Sequence, residues 1–219
     1  MPDYTKKQLP IRTKRRTVKA YMESERAAGE NMIFAVNANY WGPFEEPWNH
    51  KYAANLDFAV SDGKVIECKP GRPCLIVYRD GRVEMRKSEK DEPVAEIAVG
   101  VCGFGFVMQD GKPITPVEGR KYALAPRTAG GLSEDGRYLY YLVVDGRQED
   151  FSMGMNTIEL GEWMERLGAW TGINFDGGGS SSFVVWDGRE AKMLNHQPGG
   201  GMRAVANAVG FCLDPPTGK

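Results

Sequence analysis

The sequence contains 219 residues, of which 42% are hydrophobic and 26% charged, and its formal net charge is −1. At about 150 residues per domain, this length allows one large domain or two small ones. The composition is that of a globular chain, and no apolar run approaches the roughly 18 residues of a membrane span. A nearly neutral chain has no overall field that would recruit nucleic acid or an acidic membrane.

The first 20 residues are basic, and no apolar segment follows the charges, so we recognise no signal peptide at this end. The basic side chains are Lys6, Lys7, Arg12, Lys14, Arg15, Arg16 and Lys19. A nucleic-acid-binding arm is one interpretation, but neutral charge elsewhere and the lack of interleaved aromatic residues favour a solvated helix start. We therefore separate a basic segment with the first helix, residues 1–30, from a domain over residues 31–214, and we expect no nucleic-acid partner.

Two segments have the spacing of amphipathic helices. Residues 17–28 end before Gly29, a residue type that favours helix C-termini. Residues 157–167 follow Asn156, a preferred N-cap type, with Glu159 three positions on as its capping-box partner. The predicted apolar face of this second helix consists of Leu160, Trp163, Met164 and Leu167.

The dipeptide Asp-Gly occurs seven times, beginning at residues 62, 80, 110, 135, 145, 176 and 187. Between apolar runs it is a strong hairpin signal, because a type I′ turn needs positive φ at both central residues. Strand-like runs precede several pairs, at residues 56–60, 74–78, 138–144 and 183–186. Six pairs are followed by Lys or Arg, as in solvated turns, and Asp176 is the exception. We predict one α+β domain that is rich in sheet and has few helices.

Cysteine and histidine give no metal-site pattern. Four cysteines lack paired C-x-x-C spacing, and we favour free or buried thiols over a disulfide between Cys68 and Cys74, although that loop closure is geometrically conceivable. The two histidines, His50 and His196, occur without a zinc or EF-hand motif. We assign no cofactor and leave a divalent metal open.

One segment is different in kind. A short apolar strand over residues 173–175 runs into Asp176, three glycines and three serines. Such a segment lacks Cβ atoms at the glycines, so a ligand can approach main-chain N–H groups closely. It is neither a Walker A loop nor a GxGxxG fingerprint, and its strand-like flanks argue against a flexible linker. A second glycine cluster at residues 199–201 follows Asn195 and precedes Arg203 and Asn207; alone it would be an ordinary surface loop.

The glycine-serine segment carries a family resemblance. Residues 174–181 (NFDGGGSS) closely resemble the NLDGGGSS motif of the phosphodiester glycosidase family. Further matches follow in the family's order: residues 36–40 (VNANY) resemble its INGGF segment, Arg127 and Thr128 its RT pair, residues 144–147 its VDGR strand end, Glu159 and Leu160 its helical EL pair, and Arg203 with Asn207 its closing RxxAN stretch. The resemblance spans roughly residues 31–213.

This resemblance implies hydrolysis of a sugar-1-phosphodiester to the sugar and a phosphomonoester. The phosphate needs fork-shaped cationic donors, for which Arg127, Arg147 and Arg203 occupy matching positions. A carboxylate is needed beside the oxocarbenium-like transition state. Asp176, Asp145 and Glu159 are the candidates, although Asp145 also fits an ordinary hairpin turn and Glu159 a simple helix cap.

Sugar hydroxyls need amide and hydroxyl partners, and the matched segments supply them. The expected substrate-binding residues besides the arginines are Asn37, Asn39, Thr128, Gly177, Gly178, Gly179, Ser180, Ser181, Asn195 and Asn207. The alternative function is a non-catalytic module that binds a phosphorylated or anionic glycan of a cell envelope. The resemblance implies a secreted or periplasmic protein with a carbohydrate phosphodiester as its partner; the oligomeric state stays open.

Overall fold

A computed structural model describes residues 13–42, 51–114 and 123–213. Strands make up 44% and helices 15%, which confirms the predicted sheet-rich α+β class. His50 and the basic residues Lys6, Lys7 and Arg12 lie outside the described residues. The division at residue 30 stays a prediction.

Seventeen strands and two α-helices make up the described part. In chain order they are β1 (Thr13–Lys14), α1 (Val18–Ala27), β2 (Met32–Asn37), β3 (Trp41–Gly42), β4 (Tyr52–Asn55), β5 (Phe58–Ser61), β6 (Lys64–Cys68), β7 (Pro73–Tyr78), β8 (Val83–Lys87), β9 (Ile97–Cys102), β10 (Gly105–Gln109), β11 (Lys112–Pro113), β12 (Arg127–Leu132), β13 (Leu139–Val144), α2 (Thr157–Leu167), β14 (Thr171–Asn174), β15 (Phe183–Trp186), β16 (Ala191–Met193) and β17 (Ala208–Cys212). Val94–Glu96 and Gly178–Ser180 form single 3₁₀ turns.

The strands form four antiparallel sheets. Sheet I has the order β11-β10-β14-β12-β13, sheet II β16-β15-β2-β17, sheet III β6-β5-β9-β7-β8 and sheet IV β1-β4-β3. Side chains from sheets I, II and III share one core cluster, which includes Val36, Leu75, Val101 and Ile173. The other face of sheet III carries a second cluster around Phe58.

Each helix covers one sheet. Helix α1 begins after the N-cap Thr17 and buries Val18 and Met22 in a cluster with sheet II. Helix α2 begins with the predicted capping box, and its Leu160 and Met164 pack against sheet I. Its buried face is narrower than predicted, because Trp163 and Leu167 are exposed. The helix contacts β10 through Gly161, where a Cβ would lie 2.6 Å from Val107 O, so the buried face is centred nearer to Gly161 than to Trp163. Within the described residues, neither helix is long and apolar enough to cross a membrane.

The Asp-Gly pairs divide into two classes. Those at residues 62, 80, 110, 135 and 187 join adjacent antiparallel strands, and both turn residues have positive φ at 62–63 and 110–111. Asp145 does not begin a hairpin: the chain leaves β13 there, and Arg147, two residues on, adopts a left-handed φ of 59°. The hairpin interpretation is therefore wrong at this position.

All four cysteines are free. Cys68 ends β6 and Cys74 lies in β7, and β5 and β9 separate these strands in sheet III. A bond between these two cysteines is thus excluded by strand order, although they are close in sequence.

Candidate active site

The glycine-serine loop, residues 176–182, connects sheet I to sheet II. It leaves the end of β14 and enters β15, which pairs with β2. Strand β12 begins at Arg127 between β13 and β14 in the same sheet. The last residues of β13 and β14 therefore lie beside the first residue of β12, at one end of the strands of sheet I. Asp145 and Asp176 follow these strands and lie on either side of Arg127.

Arginine side chains lie close to two of the three glycines of the loop, and Arg127 lies beside the third. A Cβ at Gly177 would lie 2.8 Å from Pro126 O and 3.8 Å from Cδ of Arg127, and one at Gly178 would lie 3.0 Å from Nη1 of Arg147. A Cβ at Gly179 would lie 2.5 Å from Cζ of Arg203. Gly178 also has a φ of 60°, which side-chain-bearing residues rarely adopt. The Pro126 carbonyl therefore occupies the side-chain space at Gly177, and guanidinium groups occupy it at Gly178 and Gly179.

The predicted arginines thus converge on one loop from distant positions in the sequence. Arg127 donates from Nε to Met155 O at 2.9 Å and from Nη2 to Ala123 O at 2.8 Å. Burial, followed by the charge of Arg147, lowers the pKa of Arg127. Among the described residues, no carboxylate forms an ion pair with Arg127 or Arg147. Concentrated positive charge of this kind favours a bound anion.

Asp176 is buried beneath this loop, and its Oδ2 has no hydrogen-bond partner among the described residues. Burial raises the pKa of Asp176 to about 7, and the nearby Ser180 hydroxyl, the Gly177 N–H and the charge of Arg203 oppose this rise only in part. An unpartnered buried carboxylate oxygen is costly, and such strain is common at functional sites. The carboxylate is therefore almost closed off from solvent.

The loop's main-chain N–H groups are mostly occupied, which differs from the sequence-based expectation. Gly178 N donates to Pro126 O, Ser180 N to Gly177 O and Ser181 N to Gly178 O. The hydroxyls of Ser180 and Ser181 are buried and have no hydrogen-bond partner among the described residues. Gly178 and Gly179 therefore leave room for arginine side chains, and the serine hydroxyls of the loop are buried beneath its surface.

Asn37 forms hydrogen bonds with both ends of the glycine-serine loop. Its Nδ2 donates to Asp176 O at 2.7 Å, and its Oδ1 accepts from Thr128 Oγ1 at 2.8 Å and Ser182 N at 2.9 Å. Because Asn37 and Thr128 are fully buried, this network links β2, β12 and the loop rigidly. Asn39 has a similar internal use: its Nδ2 donates to Phe58 O at 2.7 Å.

Asp145 lies in a more open setting. Its Oδ1 accepts from His196 N at 2.8 Å and from Asn195 Nδ2 at 3.2 Å, and the same Nδ2 donates to Ser181 O. Its Oδ2 lies 3.7 Å from Nδ1 of His196. Asp145 and Asn195 both line a cleft of about 320 Å³. This second carboxylate is thus accessible beside the loop.

The remaining predicted residues have structural partners. Glu159 completes the helix cap, accepting from Asn156 N at 2.8 Å. Asn207 Oδ1 accepts from Asn39 N at 2.8 Å.

No group of three or more potential metal-ligating His, Cys, Asp or Glu side chains occurs in the described ranges.

Sequence reasoning missed Gln197. Its Nε2 donates to Ser181 O at 3.0 Å and to Ser182 Oγ at 2.7 Å, and its Oε1 accepts from Arg203 N at 2.7 Å. It thereby fixes the Arg203 backbone against the loop. The available signal was a run of three amide or imidazole side chains, residues 195–197, before the second glycine cluster.

Comparison with known proteins agrees with this geometry. The phosphodiester glycosidase family matches residues 30–212, a range that includes the loop and all three arginines. The chain belongs to the phosphodiester glycosidase family. A comparison with curated proteins finds no significant match.

Solved structures share the fold of this family member. The catalytic domain of zebrafish N-acetylglucosamine-1-phosphodiester alpha-N-acetylglucosaminidase, auto-inhibited by its pro-peptide, has a TM-score of 0.63 and 20% identity over 90% of this chain. A Burkholderia pseudomallei protein described as exported has a TM-score of 0.63, 16% identity and 92% coverage, with 68% of its own chain covered. A hypothetical protein from Synechocystis has a TM-score of 0.57, 12% identity and 91% coverage. This chain spans 65% of the zebrafish chain and 54% of the Synechocystis chain.

Proposed function

We propose that this chain hydrolyses a sugar-1-phosphodiester between the anomeric carbon and the bridging oxygen. Water supplies the hydroxyl of the released sugar and the proton of the released phosphomonoester. The observation that carries the proposal is the convergence of Arg127, Arg147 and Arg203 on the loop with three consecutive glycines. Family membership and the shared fold of the zebrafish enzyme support the reaction class.

The arginines bind the phosphodiester anion in this proposal. Arg127 is held by two carbonyl oxygens, so its orientation is fixed before substrate binds. Arg147 is exposed and forms no ion pair with a carboxylate of the described residues. Its charge is therefore available to a bound phosphate in this proposal. Preorganised cations stabilise the charge that develops on the leaving phosphate without further reorganisation.

Asp176 supplies the negative charge near the anomeric carbon. Its pKa of about 7 leaves a substantial ionised fraction at neutral pH. A phosphate is already a good leaving group, so strong general-acid help is less necessary than in ordinary glycosidases. One carboxylate that stabilises the oxocarbenium-like centre then suffices.

Asp145 is the alternative carboxylate, because it is more accessible than Asp176. With Asn195 it borders the neighbouring cleft, where a sugar ring would find an amide and a carboxylate as hydrogen-bond partners. Asn37, Thr128 and Asn39 act as positioning residues in this proposal, since their side chains already bond within the protein. Glu159 acts as a helix cap.

We also propose that the protein acts outside the cytoplasm. The support is the family resemblance together with the structural likeness to a Burkholderia pseudomallei protein described as exported. Localisation of the full-length protein by cell fractionation tests this point, and retention in the cytoplasm would contradict it.

A panel of sugar-1-phosphodiesters, assayed with and without chelator, tests the reaction directly. The proposal expects release of free sugar and of the matching phosphomonoester in equal amounts. Tight binding of these diesters without any release would instead establish the alternative, a non-catalytic module for anionic glycans. Loss of activity with chelator would add a metal to the site.

A further inference from the structure

A row of side chains crosses sheet III outside the candidate site. The strand register places Cys68 opposite Phe58, and Cys74 directly opposite Cys102. Cys74 and Cys102 belong to the same core cluster and are both fully buried. Directly opposed residues in neighbouring strands point to the same face of the sheet, so the two thiols are neighbours.

Cys74 and Cys102 occupy the type of antiparallel pair in which the two Cα atoms lie closer together. Gly103 N donates to Pro73 O at 3.0 Å, one residue further along both strands, and Cys102 N donates away from β7, to Asn39 Oδ1 at 3.1 Å. Hydrogen-bonded and non-hydrogen-bonded pairs alternate along a ladder, so Cys74 and Cys102 form a non-hydrogen-bonded pair. Such pairs have Cα atoms about 4.5 Å apart, within the range that a disulfide spans.

We propose that Cys74 and Cys102 form a cross-strand disulfide between β7 and β9 when the protein folds in an oxidising environment. Two S–H bonds break and one S–S bond forms. The two electrons and two protons pass to a disulfide oxidant such as oxidised glutathione, which becomes two thiols. Cys68 is separated from Cys102 by Phe58, and Cys212 lies exposed on sheet II, so neither competes for this bond.

The bond forms during folding and then persists. Burial raises the pKa of both thiols, that of Cys102 to about 12, so little thiolate exists in the folded protein. Because the thiolate is the reacting species, exchange is slow once β7 and β9 have paired.

The disulfide also braces the candidate site. Cys102 bonds to Asn39 through its backbone N–H and accepts from Asn39 Nδ2 at 3.2 Å. The adjacent Ala38 O accepts from Asp176 N at 2.9 Å. Fixing Cys102 therefore fixes the strand end that holds Asp176.

The test is refolding of the full chain in a glutathione redox buffer, followed by alkylation, tryptic digestion and mass spectrometry. Pro70 and Pro73 block cleavage after Lys69 and Arg72, so Cys68 and Cys74 share one tryptic peptide. The Cys68→Ala variant therefore makes the assignment unambiguous, and wild type refolded under reducing conditions is the control.

We expect the peptides containing Cys74 and Cys102 to be linked, with Cys212 alkylated. The oxidised protein should melt roughly 5 to 10 °C above the reduced one. Complete alkylation of all thiols after oxidative refolding, or a different pairing, would overturn the proposal. The measurement needs no catalytic activity, so it fails or succeeds independently of the proposed reaction.

Discussion

The guanidinium of Arg203 occupies the space that a side chain at Gly179 would need. A Cβ there would lie 2.5 Å from both Cζ and Nη2 of Arg203, closer than non-bonded atoms approach. Because the contact is with the arginine itself, the glycine and the arginine depend on each other. The geometry of the loop and the position of the Arg203 guanidinium are therefore coupled at this point.

Replacing Gly179 by Ala should displace Arg203 while leaving the sheets intact. A catalytic group moved by about 1 Å can cost 10²-fold, so we expect kcat/KM to fall about 100-fold. Gly105→Ala is the matched control, because a Cβ added to Gly105 would meet no atom within 4 Å outside its chain neighbours. Equal activity of both variants would contradict the coupling.

Lysine substitution distinguishes the contribution of charge from that of the guanidinium geometry at the proposed phosphate site. Arg127→Lys and Arg147→Lys keep one positive charge and lose the two-pronged donor, so KM should rise at least about 10-fold with a smaller change in thermal stability. Arg166→Lys on α2, where Arg166 stacks on Trp163 at 5.3 Å, is the control. Unchanged KM in both site variants would remove the phosphate role.

Asp176→Asn should stabilise the protein at alkaline pH. The folded pKa of Asp176 is raised from 3.8 to about 7, so the folded state holds a proton that the unfolded state has lost between these values. Stability therefore falls as pH rises from about 4 to about 7, by at most a few kcal/mol, roughly 1.4 per pKa unit. The melting advantage of the Asn variant should be small at pH 4 and full above pH 7. A constant difference across this range would contradict the assigned pKa.

Glu159→Gln tests whether this residue belongs to the chemistry. Glutamine also serves in a capping box, so the variant should keep the helix and fold normally. Because Glu159 already accepts from Asn156 N, we expect kcat within about 2-fold of wild type, a spread typical of neutral surface changes. A collapse of kcat in a folded variant would make Glu159 the carboxylate of the reaction.

The sequence predicted those features of the fold that depend on residues close together along the chain. The capping box of α2 and the five hairpin turns follow from side chains within a few positions, and both were predicted correctly. The convergence of three arginines was expected from the family resemblance, but the contacts of Arg147 with Gly178 and of Arg203 with Gly179 were not. Such contacts depend on how β12, β13 and the loop are placed beside one another at the same end of sheet I. For the same reason the sequence could not distinguish Asp145 from the aspartates of the hairpin turns. Its position depends on the pairing of β13 with β12, which brings it beside Arg127.

The turnover of Asp176→Asn on the sugar-1-phosphodiester that wild type hydrolyses tests the central claim most directly. Substrate binding should persist through the arginines, with kcat at least about 100-fold lower because the charge beside the oxocarbenium-like centre is gone. Asp145→Asn, measured in parallel, should lose less. Near-normal kcat in a folded Asp176→Asn protein, with a collapse in Asp145→Asn, would contradict the assignment and transfer the reacting carboxylate to Asp145.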